Sequence, residues 1–251
     1  MAKRGSRHAT VNDSQKGSRG SANVRALFPD NADWDRFDDG GRDQKCVRKV
    51  RPQSRNQRRL IESLERRQLV LAVGPAGTGK TYLAIAKAVE ALEDGRVARL
   101  VLTRPAVEAG ESLGYLPGDV GAKMSPYLRP LYDALGDRLG GKRLKQLLAD
   151  GSIEIAPVAF MRGRTLNNAY VVIDEAQNCT FGQLKMLLTR LGWHSTMVVT
   201  GDPDQSDLLP ELSGLAEIAR RLELLETVSV VHLDDGDIVR HPLVADMLTV
   251  L

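Results

Sequence analysis

Beyond about residue 50 the chain alternates between short apolar runs and stretches whose apolar residues recur at helical spacing. The runs predict strands at Leu69 to Val73, Leu100 to Thr103, Ile153 to Ala156, Tyr170 to Asp174, Met197 to Thr200 and Val228 to His232. Between most of them lie helical segments. Leu60, Ile61 and Leu64 share one face before the first strand, Tyr82 to Val89 follows it, Ser125-Pro126 marks a helix start, and Thr180 with Gln183 forms a capping box for a helix to about Leu191. Strands that alternate with helices imply an α/β fold with a mainly parallel sheet between two helical layers. Residues 51–251 read as one such domain. Residues 1–50, rich in Ser, Gly, Arg, Asn and Asp, read as a flexible basic and polar tail, with Phe28, Trp34 and Phe37 as a candidate docking segment.

The first strand runs directly into Gly74-Pro75-Ala76-Gly77-Thr78-Gly79-Lys80-Thr81, and a helix follows. This order of strand, glycine-rich turn and helix is what a phosphate-binding loop requires. The glycines let successive N–H groups converge on phosphate oxygens, and the helix N-terminus adds its positive dipole end. Lys80 would reach the terminal phosphates and Thr81 would hold Mg²⁺. A second strand, Val171-Val172-Ile173, ends in Asp174-Glu175. In a parallel sheet its carboxyl end shares an edge with the phosphate loop, so Asp174 is a second metal ligand and Glu175 a base for an attacking water. That base argues for hydrolysis and against a small-molecule kinase, which must exclude water. A third strand ends in Thr200-Gly201-Asp202-Pro203-Asp204-Gln205, where Gln205 is placed to sense the terminal phosphate and Asp202 to support it.

Charge is unevenly distributed. Lys and Arg outnumber Asp and Glu 17 to 9 over residues 1–67, whereas the remainder carries 18 against 23. A basic front on an acidic body suits a nucleic-acid partner as well as it suits plain solvation. The two cysteines, Cys46 and Cys179, are far apart and lack metal-ligand neighbours, so neither a disulfide framework nor a zinc site is suggested. Basic residues at the N-terminus precede no apolar stretch, and no run is long enough to span a bilayer, so a cytoplasmic protein without a membrane partner is expected.

Taken together, the phosphate loop, Asp174-Glu175-Ala176-Gln177 and the Gly201 to Gln205 cluster resemble the first motor domain of superfamily 1 helicases. More specifically, Thr103 to Glu111, Leu113 to Gly118, Phe160 to Leu166 and Val239 to Leu243 resemble the PhoH family of phosphate-starvation-inducible ATPases. The resemblance covers Gln53 to Leu251. It implies a three-layer, RecA-like P-loop NTPase that binds and hydrolyses ATP with Mg²⁺, with links to RNA metabolism. Related motors place an adenine-reading glutamine where Gln57 stands, and a side-chain amide can pair with the adenine edge.

No second motor domain and no N-terminal ribonuclease domain are expected in this chain. An arginine finger would therefore come from a neighbouring subunit, and Arg240 is the candidate, in a head-to-tail ring that the family makes a hexamer. A local phosphate contact by Arg240 within its own subunit is the other reading. Thr103 and Arg104 are candidate contacts to single-stranded RNA or another nucleic acid. Arg162 and Arg164 beside Phe160 form a second candidate, since cations grip phosphates and a ring stacks on a base; those arginines could equally pair with acids at a subunit contact. The segment from Arg104 to Lys123, with Glu108 and Glu111, reads as a functional surface loop. A competing function is an ATP-switched binding module that assembles with a ribonuclease or ribosomal partner and turns over little.

Overall fold

The computed structural model describes residues 49–105, 120–209 and 212–239. Phe28, Trp34, Phe37, Cys46, Glu108, Glu111 and Arg240 lie outside the described residues. Six strands form one sheet: β1 (Leu69–Val73), β2 (Arg99–Arg104), β3 (Ile153–Pro157), β4 (Ala169–Ile173), β5 (Thr196–Gly201) and β6 (Ser229–His232). Their order is β3-β2-β4-β5-β1-β6 and every pairing is parallel. All the predicted strands are present, with ends displaced by a residue or two.

Alternation along each strand divides the interior into two cores. Val70, Ala72, Leu100, Leu102, Tyr170, Val172 and Val198 face one side, packed by α1 (Arg55–Arg66), α2 (Lys80–Glu93), α3 (Val120–Leu139) and α4 (Gly141–Ala149). Leu71, Val73, Val101, Val171, Ile173, Met197 and Val199 face the other, packed by α5 (Phe181–Leu188), α6 (Leu215–Leu222) and the turn Val158–Met161. This is a three-layer α/β arrangement. It explains why β4 is apolar at every position: the strand is buried along its whole length, and each fully buried Val, Leu or Ile contributes about 1.5–3 kcal/mol.

The helix before β1 forms as its pattern predicts. Ser54 caps α1 by accepting from the Gln57 N–H, and Leu60 and Leu64 are buried one turn apart. Val50, which composition assigns to the tail, packs against the same core.

Two helix ends differ from expectation. The Thr180–Gln183 capping box is present, but α5 stops at Leu188. The following residues turn away so that the Leu166 N–H donates to the Arg190 carbonyl and the Leu166 carbonyl accepts from Gly192, pairing two connections instead of extending the helix. Helix α3 begins at Val120, so Ser125-Pro126 lies inside it, and Lys123 belongs to the helix and not to a loop. No helix among the described residues is long and apolar enough to cross a membrane.

Candidate nucleotide site

Register brings the polar strand ends to one edge. Val73 pairs with Gly201, Thr103 with Ile173, and Ile173 with Val199, so Asp174 emerges level with Thr200 and with Arg104. Strand β5 separates β1 from β4, and its last residues therefore fall between the phosphate loop and Asp174-Glu175.

The loop leaves β1 through a tight gap. Gly74 has φ 145°, its N–H donates to the Gly201 carbonyl, and a Cβ there would lie 2.2 Å from the Leu233 carbonyl oxygen. Only glycine passes. Gly77 (φ 84°) and Gly79 (φ 82°) then reverse the backbone into α2. Among the described residues, the N–H groups of Gly77, Thr78 and Gly79 have no hydrogen-bond acceptor. With the first turn of α2 beside them, they form a cradle suited to an anion. The Thr78 hydroxyl donates to the Pro75 carbonyl at 2.8 Å, and the Val239 N–H donates to the Gly77 carbonyl at 3.0 Å, so the loop is tied from within and from the segment after β6.

Lys80 folds back over this loop. Its Nζ donates to the carbonyls of Gly74 and Pro75 at 2.6 and 2.7 Å. Burial pulls its pKa below the ordinary lysine value, and the charges of Asp202, Glu175 and Asp174 oppose that shift without cancelling it. Thr81 donates its hydroxyl to Asp174 Oδ1 at 2.6 Å, and Thr200 donates to the same oxygen at 2.8 Å. Asp174 is buried. Two hard oxygen donors this close, beside a phosphate cradle, suit Mg²⁺, which takes few protein ligands and completes its shell with phosphate and water. No cluster of three or more His, Cys, Asp or Glu with metal-binding geometry exists among the described residues, so phosphate oxygens would have to supply the remaining ligands.

Glu175 adopts φ 52°, a left-handed conformation that costs a non-glycine residue free energy and is concentrated at functional sites. Its Oε1 accepts from Arg104 Nη2 at 3.2 Å and its Oε2 from Gln177 Nε2 at 2.5 Å. Gln177 in turn accepts the Asp202 N–H at 3.1 Å, and the Gln205 N–H donates to the Asp202 carbonyl. Arg104, Glu175, Gln177 and Asp202 thus link the ends of β2, β4 and β5. Lys80, Thr81, Asp174, Glu175, Asp202 and Gln205 line one cavity of about 280 Å³ with the phosphate loop and Tyr82.

Several sequence expectations need correction. Thr103 is fully buried and its hydroxyl has no partner among the described residues, so it cannot touch a nucleic-acid strand; β3 and β4 flank it on both sides. Arg104 sits on the carboxylates of the cavity, 3.8 Å from Asp174 Oδ2 as well as on Glu175, instead of on an outer surface. Arg164 makes a bidentate pair with Glu154 of its own chain, both bonds 2.6 Å, and this contact holds its guanidinium charged. Beside it, Phe160 is 42% exposed and Arg162 is exposed. Gln57 is buried behind the loop; its amide donates to the Thr78 carbonyl and accepts from the Gln53 N–H. That geometry braces the phosphate loop and does not present the amide to a base. Conversely, Gln177 and Thr200 carry no role in the sequence reading. Their signals were the fourth position of Asp-Glu-Ala-Gln and a polar residue ending an apolar strand.

The family model described as PhoH-like protein matches residues 49–251. A PhoH-like protein of Bacillus subtilis is 54% identical over 200 residues, covering 79% of this chain and 63% of its own length. Protein PhoH of Escherichia coli is 44% identical over 205 residues, covering 80% of this chain and 58% of its own. The chain thus spans about three-fifths of the length of these relatives. Among solved structures, the large terminase of a thermophilic bacteriophage superposes with a TM-score of 0.50 at 12% identity, over 79% of this chain and 50% of that one, a likeness of fold.

Proposed function

Because the chain belongs to the PhoH-like family, we propose that residues 51–251 form a Mg²⁺-dependent ATPase acting in the cytoplasm, with residues 1–50 as a basic tail. In this reading the ATPase is coupled to rearrangement of RNA or ribonucleoprotein. The observation that carries the reading is the convergence of Lys80, Asp174, Glu175 and Gln205 on one cavity at the phosphate loop. The loop amides from Ala76 to Thr81 bind the phosphates, and Lys80 exchanges its loop carbonyls for phosphate oxygens. Thr81 and Asp174 hold the metal, which neutralises charge on the phosphates when bound. Glu175 accepts a proton from the attacking water, and Gln205 orients that water or reads the terminal phosphate. Gln57 braces the loop, which leaves the choice of base to other contacts.

Arg240 follows Val239, which is bonded to the phosphate loop. In this proposal it supplies the finger to a neighbouring subunit of a ring, in the family's hexameric form. Arg240→Ala is then expected to retain ATP binding and lose about a thousandfold or more in turnover; full activity, or an efficient monomeric ATPase, removes delivery between subunits. Single-stranded RNA is the proposed polymer and a ribonuclease the proposed partner. Phe160 and Arg162 are the exposed candidates for polymer contact, and affinity for RNA should fall steeply with salt.

The deciding experiment measures ATP turnover of the wild type and of Lys80→Ala, with and without single-stranded RNA and DNA, alongside native mass. Turnover by the wild type alone supports the assignment. Equal turnover by both proteins contradicts it, and nucleotide-dependent assembly with negligible turnover would select the ATP-switched binding module instead.

A further inference from the structure

Two hydroxyl groups hold Asp174, and only one of them belongs to the cavity. Thr81 donates to Oδ1 at 2.6 Å and lines the cavity together with Asp174. Thr200 donates to the same oxygen at 2.8 Å, yet it is fully buried, with its hydroxyl 3.4 Å from the Ile173 carbonyl. Strand pairing fixes it there: Thr200 stands opposite Ala72 of β1, and its neighbour Val199 opposite Ile173 of β4. Asp174 is anchored at its backbone as well, through the N–H that donates to the Thr103 carbonyl at 2.9 Å. Oδ2 is the uncommitted oxygen. It accepts no hydrogen bond among the described residues, and the Arg104 guanidinium stands off at 3.8 Å.

A carboxylate oxygen has about two lone-pair directions, so two hydroxyl donors fill Oδ1. Asp174 can then offer a cation one oxygen and not two. Magnesium, with its small octahedral shell, is served by single carboxylate oxygens, whereas the larger and more flexible shell of calcium also accepts both oxygens of one carboxylate. Resting on the metal-dependent reading above, we infer that Thr200 is a positioning residue that keeps Asp174 a one-oxygen donor and thereby sets the preference of the site for Mg²⁺ over Ca²⁺. Being outside the cavity, Thr200 acts through Asp174 alone. Thr200→Val keeps the branched shape and removes the hydroxyl proton; Thr200→Ser keeps the proton.

The test reads binding and needs no turnover. A fluorescent N-methylanthraniloyl derivative of the imido analogue of ATP, which resists hydrolysis, is bound to the 251-residue chain in EDTA, and then in titrations with Mg²⁺ or with Ca²⁺. The quantity compared is the metal concentration that gives half of the metal-induced gain in binding. Wild type is expected to respond at lower Mg²⁺ than Ca²⁺. In Thr200→Val the Mg²⁺ midpoint should rise about tenfold while the Ca²⁺ midpoint stays within about twofold, and Thr200→Ser should match wild type within about twofold for both metals. Affinity in EDTA should be the same in all three proteins. Thr200→Ala carries the same expectation as the valine variant and replaces it should that variant not fold.

A Mg²⁺ midpoint in Thr200→Val within about twofold of wild type would overturn the inference. So would equal weakening for both metals, or a serine variant that behaves like the valine one, because each means that the hydroxyl proton does not set the metal preference. Failure of the metal-dependent reading itself looks different. A wild type that ignores both metals, or binds no nucleotide, removes the metal site and the role of Thr200 with it, whereas metal-dependent binding identical in wild type and Thr200→Val removes the role of Thr200 alone.

Discussion

Arg104 and Arg164 look alike along the chain, each a cation next to a turn in a stretch suited to gripping phosphate, yet the fold sends them to different work. Arg164 lies over the edge strand β3 and meets Glu154, whose charge it neutralises through two short bonds. Arg104 ends the neighbouring strand β2, where register sets it level with Asp174 and Glu175. The difference lies in the partner: one arginine completes a local pair, and the other is shared between two carboxylates that line the cavity. Flanking residues do not distinguish them; the strand that each one faces does.

Substitutions sharpen this contrast between the cavity edge and the β3–β4 connection. The largest effect is expected from Gly74→Ala at the cavity edge, where the new Cβ would meet the Leu233 carbonyl at 2.2 Å in a backbone conformation reserved for glycine. A loss of about 3 kcal/mol in chemical denaturation should accompany weakened nucleotide binding; wild-type stability would show that the loop and the end of β6 are less tightly joined than described. Next, Arg164→Gln should cost about 1–2 kcal/mol of stability, since it strands a half-buried Glu154, while leaving oligonucleotide affinity unchanged. A clear drop in that affinity at unchanged stability would make Arg164 a polymer contact and break the comparison. Smallest is Thr180→Ala, which removes the α5 cap and should lower stability by about 1 kcal/mol with nucleotide affinity intact.

Much of the molecule was legible because buried parallel strands leave a plain mark. Val171-Val172-Ile173 has no solvent-facing position, and the polar residues that follow it could only lie at the sheet edge. Phosphate-loop chemistry was equally readable, since Gly74, Gly77 and Gly79 each occupy a backbone state that other residues avoid. What the sequence hid was pairing across the sheet. Thr103 reads as a polar strand end open to solvent, and only the flanking strands on both sides reveal its burial. Gln57 has the composition of an adenine contact, but its two bonds, to Gln53 and Thr78, depend on how α1 packs behind the loop. The early end of α5 likewise follows from a partner, Leu166, more than twenty residues away.

The proposal that three strand ends, meeting at one cavity, serve ATP hydrolysis makes its firmest demand on Glu175. ATP binding and steady-state turnover measured on the same preparation of Glu175→Gln should show affinity like that of the wild type and turnover lower by about 100- to 10,000-fold. Hydrolysis at a near-normal rate would contradict the account, because the residue held between Arg104 and Gln177 would then have no part in preparing the water.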